Sequence, residues 1–279
     1  MRSFQQVDVF APRPRQGNPV AVVLDGDGLS SEQMLQFTRW TNLSEATFVV
    51  PTSDPAADYA VRIFTAAGEL PFAGHPTLGT CHAWLRAGGT ARDAARIVQR
   101  CEAGLITIRR LDGMLAFRAP ALVRAGPVEP RDVSRLAGVL GIDSGDIVGS
   151  QWVDNGPGWV ALMLASAEAV LALQPMAAAE GIDVGVVGLY PPGSECAYEV
   201  RAFFSDHRGS LVEDPVTGSL NASLAQWLIE RGDVVAPYTA SQGTRLGRAG
   251  RPRISTDEVG SVWVAGATHT VVEGTVDID

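Results

Sequence analysis

Two glycine-containing turns, each leading into a helix-like segment, are the clearest candidates for a functional site in the sequence. Residues 69–85 read ELPFAGHPTLGTCHAWL, and residues 212–229 read VEDPVTGSLNASLAQWLI. At a spacing of 144 residues, Gly74 matches Gly218 and His75 matches Ser219. Glycine permits close backbone approach, and N–H groups at a helix start can bind an anion. Either glycine alone could simply permit a tight turn, but the duplication favours a carboxylate-binding site.

Two carboxylates lie near segments that could position them in a cleft. In NLSEATFVV, residues 42–45 are predicted to form a turn and residues 46–50 a strand, which places Glu45 at the strand entrance. Asp214 immediately precedes the second glycine turn. Each carboxylate also has an ordinary interpretation, because a turn glutamate is usually solvated and Asp-Pro commonly forms turns.

The sequence lacks residues that several classes of reaction require. All basic residues are arginines, so the lysine required for Schiff-base chemistry or a Walker A loop is absent. The sequence also lacks Gly-x-Ser-x-Gly and Gly-x-Gly-x-x-Gly motifs. Metal-type spacing is missing from the histidines and cysteines, which are His75, His82, His207, His269, Cys81, Cys101 and Cys196. We expect neither a metal nor a cofactor, and we expect buried cysteines and packing or surface roles for His207 and His269.

Composition limits the partners. The net charge is −9 and the isoelectric point is near 5.0, without a basic run, which argues against nucleic acid and anionic membranes. No apolar run approaches the roughly 20 residues that span a bilayer, and the N-terminus resembles a strand rather than a signal peptide. We therefore expect a cytoplasmic protein with a small-molecule substrate.

The repeat also predicts the domain organisation. DYAVRIF at residues 58–64 matches AYEVRAF at 197–203, so each half repeats strand, turn and helix. The proline-containing segment 118–132 is predicted to connect two domains without regular structure. We predict an N-terminal domain at 1–118, completed by 267–279 pairing with the chain start, and a C-terminal domain at 119–266. Many strands and few helices favour an α+β fold with two sheets, each curled about one helix.

Local signals predict the individual elements. Ser30, with Gln33 three residues later, predicts the start of a helix that continues to about Thr41. The dipeptide within LDG predicts a hairpin over residues 102–118. Further strands are expected at 3–10, 20–24, 59–65, 147–153, 159–164, 184–189, 253–256, 262–264 and 268–277, and further helices at 132–140 and 167–173.

Four segments together resemble the PhzF-like proteins, the phenazine-biosynthesis branch of the diaminopimelate epimerase fold. They are NLSEATFV, RIFTAAGELPFAGHPTLGT, EDPVTGSLNASLAQWL and SQGTRLGRAGRPRIS, and the similarity extends from QGNPVAVV to the final strands. The resemblance implies two pseudo-twofold-related domains, each a β-roll around a central helix, an interdomain active site and a homodimer.

The resemblance also implies residue roles. Glu45 matches the catalytic glutamate, and His75 and Asp214 match cleft residues that hold the substrate or help protonate it. Asn18 matches a substrate-binding position. The carboxylate-binding helix starts correspond to Gly74, Gly218 and Ser219.

One departure separates this chain from the cysteine-dependent epimerases that the fold also includes. Those enzymes have a cysteine just before each glycine, whereas this chain has Ala73 and Thr217. Neither side chain can exchange a proton with a carbon acid, and Cys81 lies seven residues beyond the first turn. A racemisation that uses two thiols is therefore not expected.

The residues and the resemblance predict a cofactor-independent isomerase that moves a proton between carbons of a small unsaturated cyclic amino acid resembling dihydro-hydroxyanthranilate, in secondary metabolism such as antibiotic biosynthesis. Glu45 would shuttle the proton, which requires a carboxylate with a pKa raised by an apolar cleft. Asp214 would bind the ammonium group, and His75 would position it or relay a proton. The alternatives are an amino-acid epimerase and a small-molecule binding protein without catalytic activity.

Overall fold

The computed structural model describes residues 1–176, 181, 183–206 and 208–278, so His207 lies outside the described residues. The chain divides into two compact units. The first comprises Met1–Arg118 and Ala265–Asp279, and the second comprises Ala119–Val264. Within the described residues, no helix combines the length and apolar character needed to cross a membrane.

Five α-helices and nineteen strands are described. The helices are α1 (Ser31–Thr41), α2 (Gly74–Arg86), α3 (Pro130–Leu140), α4 (Ala167–Ala172) and α5 (Gly218–Arg231). The first strands are β1 (Arg2–Val9), β2 (Asn18–Val23), β3 (Glu45–Val50), β4 (Tyr59–Thr65), β5 (Glu69–Leu70), β6 (Ile97–Cys101), β7 (Gly104–Leu111), β8 (Met114–Arg118) and β9 (Arg124–Gly126). The remaining strands are β10 (Ile147–Asp154), β11 (Val160–Leu164), β12 (Asp183–Leu189), β13 (Tyr198–Ser205), β14 (Leu211–Asp214), β15 (Tyr238–Thr239), β16 (Ser241–Gln242), β17 (Arg253–Thr256), β18 (Val262–Gly266) and β19 (Thr268–Val276).

The first unit contains a sheet in the order β19-β1-β2-β3-β4-β6-β7-β8, with β5 attached to β4. Strands β1 and β19 pair antiparallel, so the last strand of the chain lies beside the first. Helix α2 contacts β1, β2, β3, β6, β8 and β19, so the sheet surrounds this helix. A Cβ at Gly79 would lie 2.4 Å from Val20 Cγ1, and this glycine therefore allows α2 to approach β2 closely.

Side chains along β3 point alternately to the two faces of this sheet. Ala46 and Phe48 pack in the cluster that includes Met34 and Phe37 of α1. Thr47 points the opposite way, and its hydroxyl accepts a 2.8 Å hydrogen bond from Thr80 of α2. Because successive strand side chains alternate, Glu45 shares the α2 face with Thr47.

The second unit repeats this layering. Its main sheet runs β14-β13-β12-β11-β10-β9, with β16 pairing parallel to β13. One face packs against α3 and α4 through the cluster containing Leu140, Leu162 and Phe203. The other packs against α5 through the cluster containing Met163 and Leu224. Each unit thus places one largely buried helix against its sheet, as expected for the predicted α+β class.

Most local predictions are confirmed. Ser30 accepts from Gln33 N at 3.2 Å and Gln33 Oε1 accepts from Ser30 N at 2.9 Å, which forms the predicted capping box. The predicted hairpin turns at Asp112 and Gly113, whose φ angles are 50° and 79°. Cys81, Cys101 and Cys196 are buried and unbridged, as predicted.

Three local predictions require correction. Glu45 is not in a turn but is the first residue of β3, where it pairs with Val20 and Thr65. The connecting segment 118–132 is not irregular throughout, because β9 pairs antiparallel with β10. Helix α3 begins at Pro130 rather than 132, since proline's fixed φ is compatible with a first helical position. Strands β5, β6, β14, β15 and β16 were not predicted.

Candidate active site

Glu45 and His75 meet on the α2 face of the first unit. Glu45 comes from the start of β3, and His75 is the second residue of α2. Glu45 Oε2 lies 3.2 Å from His75 Nε2, without the alignment of a hydrogen bond. The side chains are 15% and 3% exposed, respectively, so this contact is largely screened from water.

The imidazole of His75 is neutral at neutral pH. Complete burial disfavours the charged form and lowers the pKa of His75 from 6.5 to about 3. The short distance to Glu45 therefore does not represent an ion pair with an imidazolium. It places a neutral ring beside the carboxyl group.

Asn18 determines which ring nitrogen carries the proton. Its side-chain amide nitrogen lies 3.3 Å from His75 Nδ1. An amide N–H can only donate, so Nδ1 accepts and the proton of the neutral ring is on Nε2. The Nε2–H group therefore faces Glu45, and Asn18, which is completely buried, acts on the histidine.

The loop before β2 positions Asn18. Asp8 Oδ2 accepts hydrogen bonds of 3.0 Å from the backbone N–H groups of Gln16 and Gly17. A Cβ at Gly17 would lie 2.0 Å from the carbonyl oxygen of Val9, so only glycine fits this close approach. Asn18 then enters β2 opposite Val9, directed towards α2.

The second unit collects the other predicted residues around the start of α5. Asp214 ends β14 and is 7% exposed, while Gly218 and Ser219 begin α5. Ser219 Oγ accepts a 3.1 Å hydrogen bond from Trp159 Nε1. The carbonyl of Ser219 accepts a 2.9 Å hydrogen bond from Asn155 Nδ2. These bonds orient the first turn of α5.

Sequence reasoning found the carboxylates and the helix starts but missed several partners around α5. Asn155, Trp159, Asn221 and Gln242 contribute hydrogen bonds there. The segment SQGTRLG contained a usable signal for Gln242, because glycine permits close backbone approach and Gln242 directly precedes a glycine.

The two other histidines among the described residues, His82 and His269, also have polar partners. His82 contacts the hydroxyls of Thr268 and Thr270 at 2.9 Å. His269 Nε2 lies 3.0 Å from the carbonyl oxygen of Ala11, consistent with a packing role. Among the described residues, no group of three or more His, Cys, Asp or Glu side chains is arranged to hold a metal ion.

Comparison with known proteins places this geometry in a family. The family described as phenazine biosynthesis-like protein, PhzC-PhzF, matches residues 7–274. The chain belongs to the PhzF family. This confirms the resemblance drawn from the sequence motifs.

Relatives of this PhzF-family chain include trans-2,3-dihydro-3-hydroxyanthranilate isomerase from Pseudomonas aeruginosa. That protein is 34% identical over 288 residues, covering 98% of this chain and 99% of the relative. Antisense-enhancing sequence 1 from Schizosaccharomyces pombe is 32% identical over 295 residues, covering 98% and 97%. Together with the family match, the relatives named as isomerases identify the chain as a PhzF-like isomerase.

Solved structures confirm the fold class. A predicted epimerase from Pseudomonas aeruginosa has a TM-score of 0.80 and 27% identity, with 99% of each chain covered. A probable proline racemase from Agrobacterium radiobacter has a TM-score of 0.61 at 13% identity, covering 100% of this chain and 94% of that chain. The latter similarity concerns the fold alone.

Proposed function

We propose that this PhzF-family isomerase moves a proton between carbons of a small unsaturated cyclic amino acid, without a cofactor. The contact between Glu45 and neutral His75 is the observation that carries the proposal. The substrate class follows the name of the Pseudomonas aeruginosa relative, trans-2,3-dihydro-3-hydroxyanthranilate isomerase.

Glu45 is the proposed base that removes a proton from one carbon and returns it to another. A carboxylate can accept the proton, and the resulting acid can donate it, so one residue can serve both steps. Its mostly buried side chain limits competing exchange with water. The neutral ring of His75 lies beside this carboxylate, with its protonated Nε2 3.2 Å from Glu45 Oε2, and limits the positions that the carboxylate can adopt.

The protonation state of His75 favours positioning over proton relay. With a pKa of about 3, the ring would accept a proton only at considerable cost at neutral pH. We therefore propose that His75 positions Glu45 and does not itself act as an acid or a base. Asn18 supports this assignment by fixing the tautomer, so we propose that it positions His75 instead of binding substrate.

The residues before the two helices support an isomerase over a two-thiol epimerase. Ala73 is the N-cap of α2 and Thr217 the N-cap of α5, so neither position supplies a thiol. Cys81 is buried within α2, and burial raises the pKa of its thiol to about 12. A protonated, inaccessible thiol is a poor base for a substrate carbon.

Substrate binding is assigned to the helix starts. Helices α2 and α5 both begin with glycine, and neither N-cap side chain hydrogen-bonds to the first turn. We propose that Gly74, Gly218 and Ser219 bind the substrate carboxylate and that Asp214 binds its ammonium group. From the family resemblance, we further propose a cytoplasmic homodimer that acts in phenazine-like antibiotic biosynthesis.

Replacing Glu45 tests this proposal. Glu45→Gln keeps the side-chain length but removes the proton-accepting carboxylate, so turnover of trans-2,3-dihydro-3-hydroxyanthranilate should fall about a hundredfold or more. Glu273→Gln makes the same change at an exposed residue and should retain turnover. Product formation and deuterium incorporation from deuterated water are measured by mass spectrometry and NMR.

The same assays should be run on a panel of substrates that contains trans-2,3-dihydro-3-hydroxyanthranilate and related unsaturated cyclic amino acids. Near-normal turnover by Glu45→Gln would refute the role of Glu45. Inversion at Cα without movement of the double bond would instead establish an epimerase. Binding without turnover or isotope exchange across the panel would favour the binding-protein alternative.

A further inference from the structure

The segment SQGTRLGRAG brings a buried glutamine to the turn that precedes α5. Gln242 lies at the end of β16, paired with Val200 of β13, and is completely buried. Its side chain reaches Asp214 and Thr217, which are 28 and 25 residues away in sequence. The function proposed above assigns no role to Gln242.

All four hydrogen-bonding positions of the Gln242 amide are occupied. Its Oε1 accepts from Thr217 N at 2.9 Å and from Asn221 Nδ2 at 2.7 Å. Its Nε2 donates to the Asp214 carbonyl oxygen at 3.2 Å and to Thr217 Oγ1 at 2.9 Å. A side-chain amide has two donor hydrogens and two acceptor lone pairs, so its orientation is fixed.

This orientation also fixes the hydroxyl of Thr217. Because Gln242 Nε2 can only donate, Thr217 Oγ1 accepts that bond and directs its own proton elsewhere. Asp214 Oδ2 lies 2.5 Å from Thr217 Oγ1 and accepts a hydrogen bond from this hydroxyl group. The distance falls within the roughly 2.5–2.7 Å range of hydroxyl-to-carboxylate hydrogen bonds.

Two glycines in the same segment allow Gln242 to approach the turn. Gly243 has φ +88°, and a Cβ there would lie 2.5 Å from the carbonyl oxygen of Pro215. A Cβ at Gly250 would lie 2.4 Å from Val216 Cγ2. Gly250 also exchanges two backbone hydrogen bonds with Gln242, at 3.0 and 3.2 Å. The glycine spacing therefore serves the placement of Gln242.

We propose that Gln242 and Thr217 are positioning residues for Asp214. Gln242 orients the Thr217 hydroxyl, and Thr217 holds one oxygen of the Asp214 carboxylate through a short hydrogen bond. This arrangement presets the direction in which Asp214 meets a cationic group. We call the hydrogen bonds from Gln242 to Thr217 and from Thr217 to Asp214 the hydrogen-bond relay. The relay is independent of the proposed reaction, whereas its effect on substrate binding rests on the proposed function.

The relay itself is tested without substrate by NMR of threonine-labelled protein. We expect a slowly exchanging, downfield hydroxyl proton from Thr217 that disappears in Thr217→Val. Gln242→Glu, studied at a pH high enough to ionise the introduced carboxyl group, whose pKa burial raises, keeps the acceptor for Thr217 N and Asn221 but removes the Nε2 donor. It should also abolish the signal, because the carboxylate competes for the hydroxyl proton. An unchanged signal in Gln242→Glu would overturn the relay.

Kinetics test the consequence for substrate. Thr217→Val should lower kcat/KM about tenfold or more, chiefly through a higher KM, and Thr217→Ser should recover most of the loss because it restores the hydroxyl. Thr38→Val is the matched control, since it removes another buried helix hydroxyl, whose bond goes to the Met34 carbonyl, and it should retain wild-type kinetics.

The outcomes separate the relay from the proposed reaction. Loss of the hydroxyl signal with unchanged KM in Thr217→Val would overturn the positioning role. Failure of Glu45→Gln to lower turnover would refute the proposed base and leave the NMR result intact. Thermal melting verifies folding, and Gln242→Glu provides the same two readouts if Thr217→Val does not fold.

Discussion

The neutral state of His75 makes the stability of this protein sensitive to acid. The unfolded histidine has a pKa near 6.5, and burial lowers the pKa in the folded chain to about 3. Between these values the unfolded chain binds a proton that the native chain does not. The free energy of unfolding therefore falls as pH decreases through this window. At pH 5, the expected loss relative to pH 8 is about 2 kcal/mol from this residue, at 1.36 kcal/mol per pH unit.

His75→Gln removes this titration while retaining a polar side chain. Urea unfolding of the wild type and variant at pH 8 and pH 5 gives the two pH dependences. Burial also lowers the pKa of His82, so the wild-type curve contains further contributions and the difference between the proteins is the informative quantity. The variant should lose about 2 kcal/mol less than the wild type between these pH values.

Nitrogen-15 NMR provides the second measurement. The His75 ring should show a protonated Nε2 and an unprotonated Nδ1 throughout pH 5 to 8, because Asn18 donates to Nδ1. Titration of the ring near pH 6.5, or equal pH dependence in the two proteins, would refute the neutral-histidine assignment. The proposed orientation of Nε2–H towards Glu45 would then be abandoned.

Three further substitutions test the steric and electrostatic arguments drawn from the fold. Gly17→Ala should lower the free energy of unfolding by at least about 1–3 kcal/mol, because the added Cβ would lie 2.0 Å from the Val9 carbonyl oxygen. Gly138→Ala lies at an exposed and uncrowded position of α3 and should raise the free energy of unfolding by about 0.5–1 kcal/mol. Urea unfolding measures both changes, and equal effects would contradict the steric argument. Glu213→Gln should cost about 3–5 kcal/mol in the same assay by leaving the buried Arg201 guanidinium without its charged partner, and a loss below 1 kcal/mol would show that this pair contributes little.

Local sequence signals predicted features that depend on few neighbouring residues. The capping box at Ser30 and Gln33 is one example, because both partners lie within one helical turn. The hairpin at Asp112 and Gly113 is another, since its turn conformation depends on residues that tolerate positive φ. The internal repeat likewise predicted that both α2 and α5 begin at a glycine.

Short or irregularly placed strands were harder to predict. Strand β9 has three residues within a proline-containing segment, and its strand structure comes from pairing with β10. Glu45 reads locally as a turn residue, yet pairing with β2 and β4 extends the strand to include it. Backbone hydrogen bonds to distant strands decided both assignments.

The sequence determined which residue types were available to the candidate site. It supplied Glu45, His75 and Asp214, and it placed no cysteine at positions 73 and 217. Only the tertiary structure decided the state and orientation of these groups. The neutrality of His75 depends on burial by the surrounding chain, its tautomer depends on Asn18, 57 residues away, and the Thr217–Asp214 bond depends on Gln242. Desolvation and hydrogen-bond direction arise from packing between distant segments, and local sequence patterns do not encode them.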